Sequence, residues 1–401
     1  MPERAGRPFL ILTVAFFALL LGSNLPTPLY AVYRERFGFS SVVLTLVFAT
    51  YMLVLVPTLL LCGQLSDRVG RRRVIAAGLV TAAVGLGLFA AATDTVWLFA
   101  ARAVQGLSVG MVTGAATAGL VELEPHGDRG RAAFYAVIVQ GAGSSAGPLL
   151  AGALAQWAPE PRVLCYLVAL VLALLAAAAV LTIPEPKPAG GRWRVQRPSV
   201  PPEIRAGFWR ASLTAGTVWM VAALYLSVVP SYAATLLDTG NLALLGAIAG
   251  SLLGASCVVQ LIASRRDRAA GAQPLGLALV VAGLTALVLA FPLHSLAALF
   301  ASALLGGAGH GLAFLGAQAE INELAPIERS GEVTAAFISC IYSGVAISAI
   351  GVGLLSTALS LRAAVTIFAV VVGSTALTAI AWHIRTRIRA PQVARVERPS
   401  R

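Results

Sequence analysis

Two ionisable side chains, Arg102 and His310, stand well inside long apolar runs, where a charge is costly unless it meets a partner or a wet cavity. Arginine stays protonated at every physiological pH. It can hold an anion or repel a second cation, but it cannot carry a transported proton. Histidine, with a reference pKa of about 6.5, can take up and release a proton near neutrality. Together they suit coupling of proton movement to another event. A plainer reading stands beside it: Arg102 donates to backbone carbonyls, and His310, taken as the single histidine inside a run, is a neutral bonded ring. No Asp or Glu lies deep in a run, since Glu122, Glu320 and Glu323 fall near run ends. The cysteines Cys62, Cys165, Cys257 and Cys340 lie far apart in apolar runs, so neither a disulfide framework nor a metal cluster is expected. Gly143-Ser144-Ser145-Ala146-Gly147 fits a nucleophile-elbow pattern formally, but no strand precedes it. With no P-loop either, no catalytic residue, enzyme activity, metal or cofactor is expected.

The elements that must position these residues are membrane helices. Hydrophobic residues make up 58% of the chain and charged residues 11%, against about 25% charged in a soluble domain. Apolar runs of about 20 residues recur, each long enough to cross a hydrocarbon core about 30 Å thick. They are continuously apolar rather than alternating, which excludes a barrel. Twelve runs are expected, at about 9–33, 41–62, 74–93, 95–121, 132–157, 161–183, 207–235, 241–263, 274–293, 295–323, 333–357 and 361–384. The first is longer than the apolar core of a cleavable signal and runs straight into the body.

Between the sixth and seventh runs, Pro184, Pro186, Pro188, Pro198, Pro201 and Pro202 mix with Arg192, Arg194 and Arg197. The organisation expected is a first half over 1–183, a linker over 184–206, a second half over 207–385 and a basic tail over 386–401. Of the 29 Lys and Arg, only Arg34, Arg36, Arg162 and Arg362 lie on one side, and Arg102 lies inside a run. All the rest belong to the other side, which places both termini in the cytoplasm. The net charge of +12 is no nucleic-acid footprint, because the basic loops carry no aromatic platform. Lys187 is the sole lysine; with so much Ala and Gly, this points to a GC-rich bacterial genome and a bacterial inner (plasma) membrane. An internal echo at an offset of 200 pairs Asp67-Arg68 with Asp267-Arg268, Gly106 with Gly306, Asp128 with Glu328 and Arg129 with Arg329.

Gly63-Gln64-Leu65-Ser66-Asp67-Arg68-Val69-Gly70-Arg71-Arg72-Arg73, between the second and third runs, resembles the G-x-L-x-D-R-x-G-R-R/K-x signature of Major Facilitator Superfamily transporters. Arg102-Ala103-Val104-Gln105-Gly106 resembles that family's R-x-x-Q-G element, with the following glycine displaced to Gly110. Gly143, Gly147, Pro148 and Gly152 resemble the G-x-x-x-G-P-x-x-G-G motif of its antiporters, with Ala151 replacing one glycine. Pro26-Thr27-Pro28, beside Asn24, resembles the first-helix element of its twelve-helix drug/proton antiporters.

The resemblance implies an all-α membrane bundle of 12 transmembrane helices in two six-helix halves. It implies a conformational latch at Gly63, Asp67, Arg68, Gly70 and Arg71, with Asp67 facing the start of the eleventh helix near Val333 and Arg71 paired with Glu122. Helices 1, 4, 7 and 10 would line a cavity, with Asn24, Arg102, Gln105, Thr217, Trp219, Tyr225, His310, Phe314 and Gln318 as candidates. The function implied is secondary transport by alternating access, with proton-coupled efflux of small amphipathic compounds as first reading. A symporter or facilitator for a sugar or organic anion is the second, and a non-transporting membrane sensor the third. Expected partners are a small-molecule substrate, protons and the lipid bilayer, with the chain monomeric.

Overall fold

A computed structural model describes residues 3–185, 198–264, 271–326 and 329–396. The echo partners Asp267, Arg268 and Glu328, the tail end and most of the proline-rich linker lie outside the described residues. The first group of helices is α1 (Glu3–Asn24), α2 (Pro26–Phe37), α3 (Ser41–Val69), α4 (Arg71–Ala90), α5 (Thr95–Leu123), α6 (Arg129–Trp157) and α7 (Leu164–Val180). The second is α8 (Arg205–Ser227), α9 (Val229–Leu237), α10 (Leu242–Ser264), α11 (Gln273–Ala290), α12 (Leu296–Leu324), α13 (Ser330–Ala358) and α14 (Leu361–Val396).

The starts of several helices follow from single polar residues set before an apolar run. The side chains of Ser40, Asp94, Asp128 and Ser295 accept backbone N–H bonds from the first turns of α3, α5, α6 and α12. Each satisfies donors that a helix start leaves unpaired. Among the described residues, ten helices are long and apolar enough to cross a membrane, or eleven if α8 and α9, bent by 53°, count as one. α1 and α2 together form one of the ten, Gly6–Phe37. The expected run at 161–183 forms α7, a helix of 17 residues. The bend between α8 and α9 falls where Pro230, just past Val228, cannot donate to the carbonyl four residues back.

Close glycine contacts set the packing. A Cβ on Gly110 of α5 would sit 2.8 Å from the Leu55 carbonyl oxygen of α3. In the second group, a Cβ on Gly311 of α12 would sit 2.6 Å from the Ser256 carbonyl oxygen of α10. Gly106 and Gly307 make the same two approaches one turn away, to Tyr51 and Leu252. The structural echo therefore joins Gly106 to Gly307, one position beyond the Gly306 that the sequence offset selects. Gly306 itself packs on Gly283 of α11.

Four hydrophobic clusters make up the core. At the end bearing the amino terminus, one draws on residues 9–183, with Phe16, Val112 and Val180 at its centre. Another at that end draws on residues 208–341 around Phe208 and Phe337. These two share no buried residue. At the far end the division disappears: Phe48 and Met52 of α3 are buried in the cluster built by the second group, with Val345, Ala349 and Val352 of α13. Thr45 of α3 fills the space beside Gly353 of α13. The two groups of helices thus close on each other at the far end and pack separately at the amino-terminal end.

Candidate functional site

The seam between the two groups begins at a break in the first span. Pro26 has no N–H, so the carbonyl of Gly22, four residues back, loses its helical donor. The Gln105 amide donates to that oxygen at 3.3 Å. Arg102, 3% exposed, donates from Nη1 to the next carbonyl, Ser23, at 3.0 Å and to Gln105 Oε1 at 2.9 Å. Its Nε donates to the Tyr30 hydroxyl at 2.6 Å. The guanidinium carbon lies 5.3–5.8 Å from the ring centroids of Tyr30, Phe48, Tyr51 and Phe89. Arg102 therefore rests in an aromatic box and binds one backbone oxygen beside a helix break, with no carboxylate among its partners in the described residues. Asn24 caps the same turn from within: its amide donates to the Leu20 carbonyl at 2.9 Å and the Ser23 hydroxyl at 3.1 Å.

Across the seam, His310 of α12 is 3% exposed. Its Nδ1 lies 2.8 Å from the Ser256 hydroxyl of α10, which also accepts from the Gln260 amide at 2.9 Å. Its ring meets Trp219 of α8 edge-on, with centroids 5.1 Å apart, and Phe314 at 5.9 Å. Trp219 also contacts Phe314 and Tyr342. His310 Nε2 and Trp219 Nε1 are buried with no hydrogen-bond partner among the described residues. Tyr51 and Tyr342 border both the first-group cluster and the second-group cluster. A row of rings thus runs from the Arg102 box to the His310 group.

The other cavity candidates are scattered. Gln318, two turns from His310, bonds Asn322 at the exposed amino-terminal end. Thr217 bonds its own helix and Thr375 of α14. Tyr225 is a correction: it lies inside the second-group core, 1% exposed, with its hydroxyl on Ser302 of α12. It packs where α8 meets α12, with its polar tip satisfied inside the core. A second correction concerns histidine. His383 also lies inside a span, buried in α14 with its Nε2 3.1 Å from the Thr214 hydroxyl.

The small residues of α6 touch both groups. A Cβ on Gly143 would lie 2.9 Å from the Phe17 carbonyl oxygen, and one on Gly147 2.5 Å from that of Leu21. Gly152 faces α10, 2.5 Å from the Leu242 carbonyl oxygen by the same measure, and the Pro148 carbonyl closes on Gly246. The Ser145 hydroxyl donates to the Gly250 carbonyl at 2.8 Å. α6 and α10 hold together from Gln156–Leu242 down to Ile138–Cys257.

The charged string forms the end of α3, the turn at Gly70 and the start of α4, with Gly63 still inside α3. Arg71 pairs with Asp67 at 2.9 Å and with Glu122 at 2.7 Å, while Arg68 is exposed. Asp67 is thereby held within its own group. Val333, its expected neighbour, is buried with Phe208 and Phe337 in the second-group cluster. The physical reason is that the two groups stand apart at this end. Gly70 has φ +107°, and a Cβ there would lie 2.5 Å from the Glu185 carboxylate. That carboxylate accepts from the Arg72 backbone N–H at 3.1 Å and its Nε at 3.2 Å.

Sequence reasoning missed Glu185, although a lone acid between two prolines marked it. It also missed Ser256 and Gln260, the paired polar residues one turn apart on an apolar helix. In the second group Glu320 accepts from Arg210 of α8 and Gln273 of α11. Outside the spans, burial works to raise the Glu124 pKa. The backbone N–H groups of Asp128 and His126, with the Arg131 charge, outweigh it and leave it below the ordinary carboxylate value.

A bundle of apolar helices closed at one end, with small-residue seams and a charged α3–α4 turn, defines a membrane protein of the transporter-fold class. The family model of the Major Facilitator Superfamily matches residues 12–273, and the chain belongs to that superfamily. It is 32% identical over 199 residues to the puromycin resistance protein pur8 of Streptomyces alboniger, covering 49% of this chain and 39% of that protein. It is 25% identical over 151 residues to the quinolone resistance protein NorA of Staphylococcus aureus, covering 38% of this chain and 39% of NorA. The chain thus spans about two fifths of the length of these relatives. The fold is similar to the crystal structure of a bacterial homolog to the human lysosomal transporter Spinster in an inward-facing, occupied conformation. That match has a TM-score of 0.71 at 17% identity and covers 94% of this chain and 95% of the other.

Proposed function

We propose that this chain is a secondary transporter that exports small amphipathic compounds in exchange for protons, by alternating access between two halves joined by the 184–206 linker. The observation that carries the reading is the lopsided seam. Residues of α3 and α13 interlock at the far end, while separate clusters fill the amino-terminal end. A two-state machine needs such a seam: one end closed, the other parted, and α6–α10 glycine contacts along which the halves can roll. The resistance named in pur8 and NorA supports export, and the apolar rings at the seam support amphipathic cargo. The arginine-rich end is read as cytoplasmic, with both termini there, in a bacterial inner membrane, and the protein works as a monomer.

In this reading Asp67, Arg71 and Glu122 latch the state in which the amino-terminal end is closed, and Asp67 reaches the start of α13 only then. His310 exchanges the proton and Arg102 fixes the first-half framework beside it. The test is purified protein in liposomes under an imposed pH gradient, with puromycin and a fluoroquinolone in the panel. Gradient-dependent accumulation of at least one compound, absent from protein-free liposomes, is expected. Movement indifferent to the gradient would remove the proton from the mechanism, and no movement of any compound would remove export.

A further inference from the structure

The His310–Trp219 group carries a specificity that the general reading of export does not contain. Ser256 Oγ accepts a hydrogen bond from the Gln260 amide. Its own single proton then has His310 Nδ1 as the acceptor at hand, 2.8 Å away. In that arrangement Nδ1 is the acceptor nitrogen and the ring proton sits on Nε2. The opposite tautomer would direct both the amide and the ring N–H at one hydroxyl oxygen and leave the hydroxyl proton without a described acceptor. An indole nitrogen is a donor only. Two buried N–H groups, His310 Nε2 and Trp219 Nε1, therefore stand on adjacent rings with no acceptor.

Buried N–H groups are rarely left orphaned in folded proteins. Here the rings around them, Phe314 and Tyr342, are only part-buried. Both rings lie against the pair, Phe314 on Trp219 and His310 and Tyr342 on Trp219. On this helix the first acid towards the amino-terminal end is Glu320, already engaged by Arg210 and Gln273. Nothing in the group would neutralise a cation.

We propose that the Trp219–His310 pair is the recognition point for the transported compound, and that it selects flat aromatic molecules bearing a hydrogen-bond acceptor oxygen, a carbonyl or carboxylate, over aromatic cations. The acceptor oxygen takes the two N–H groups while the ring system lies against Phe314 and Tyr342. This rests on the export reading for the word "transported"; the binding preference itself stands on the geometry alone.

The experiment is equilibrium binding by calorimetry to the purified full chain in nanodiscs, with three probes that share one ring system. These are 2-naphthamide (neutral, carbonyl), 2-naphthoate (anionic) and (2-naphthylmethyl)trimethylammonium (cationic, no acceptor). The wild-type chain should bind the amide and the carboxylate about tenfold or more tightly than the cation, the effect of one well-placed hydrogen bond. Trp219→Phe keeps a ring and removes a donor. It should lose about tenfold for the amide and change little for the cation. Equal or tighter binding of the cation by wild type overturns the proposal, as does binding of neither acceptor-bearing probe. Unchanged amide affinity in Trp219→Phe overturns it too. If the variant does not fold, the wild-type preference among the probes still decides. Failure of gradient-driven transport with the preference intact would sink the export reading and leave this one standing.

Discussion

Arg102 in the first group and His310 in the second are treated in opposite ways. The arginine has three hydrogen bonds and four aromatic rings, all supplied by the chain. The histidine has one hydrogen bond, and an unpaired nitrogen beside a second unpaired nitrogen. A buried polar group whose partners are all internal is framework. One with an unpaired nitrogen among the described residues is the part of the seam on which the recognition proposal rests. The two ionisable residues that looked alike as charges in apolar runs therefore divide the seam into a fixed wall and a receptive one.

The largest expected effect falls on the fixed wall. Arg102→Leu strands Gln105 Oε1, the Ser23 carbonyl and the Tyr30 hydroxyl in a buried site, and should lower stability by about 2–4 kcal/mol. Arg102→Lys should restore little, because an ammonium lacks the planar fork that reaches several acceptors at once. His310→Gln, which removes a single bond to Ser256, should cost about 1 kcal/mol or less. Thermal unfolding of the purified variants checks this. Equal losses at the two positions would abolish the distinction between the walls.

A smaller effect tests how the fixed wall is held. A Cβ on Gly147 already lies 3.0 Å from Asn24 Cβ, in the turn that presents the Gly22 and Ser23 carbonyls to Gln105 and Arg102. Gly147→Leu should cost about 1–3 kcal/mol by overpacking and stop transport in liposomes. A variant that folds and transports normally would show that α6 does not position that turn.

The smallest effect lies away from both walls. Asp67 has a side chain 42% exposed and pairs with Arg71, so Asp67→Asn should change stability by about 1 kcal/mol or less. Its transport rate should nevertheless fall, because a shift of that size moves a near-balanced two-state equilibrium. Rates equal to wild type in the liposome assay would remove Asp67 from the conformational cycle.

Charges in an apolar chain are conspicuous, and what they dictate was legible. The string ending in Arg71-Arg72-Arg73 marked the α3–α4 turn, and Glu122 was the nearest acid for Arg71. The apolar runs and the Pro26–Pro28 break marked the helices and the bend. The partners of Gln105 and Arg102 were harder to see, since the Gly22 and Ser23 carbonyls belong to the backbone and the Gly22 oxygen is freed only by a proline four residues on. Tyr225 was read as a cavity residue because tyrosine has a polar tip; Ser302, on a helix far away in sequence, satisfies that tip in the core. Asp67 stays with Arg71 because the two groups pack separately at its end, an arrangement set by contacts far from it in sequence. The tautomer of His310 follows from Ser256 and Gln260, which are unremarkable until α10 and α12 are brought together.

The turn at Gly70 sets a mechanical linkage. A single carboxylate, Glu185, occupies the space where a side chain on residue 70 would be and holds the Arg72 backbone N–H in the first turn of α4. Arg72 adds hydrogen bonds to the Leu181 and Ile183 carbonyls just beyond α7. The α3–α4 turn and the end of the last first-group helix therefore move as one piece. The described part of the first group ends at this piece, at Glu185, so the placement of α4 fixes where the chain leaves that group. A residue larger than glycine at position 70 would cut this rod at its joint while leaving every span intact.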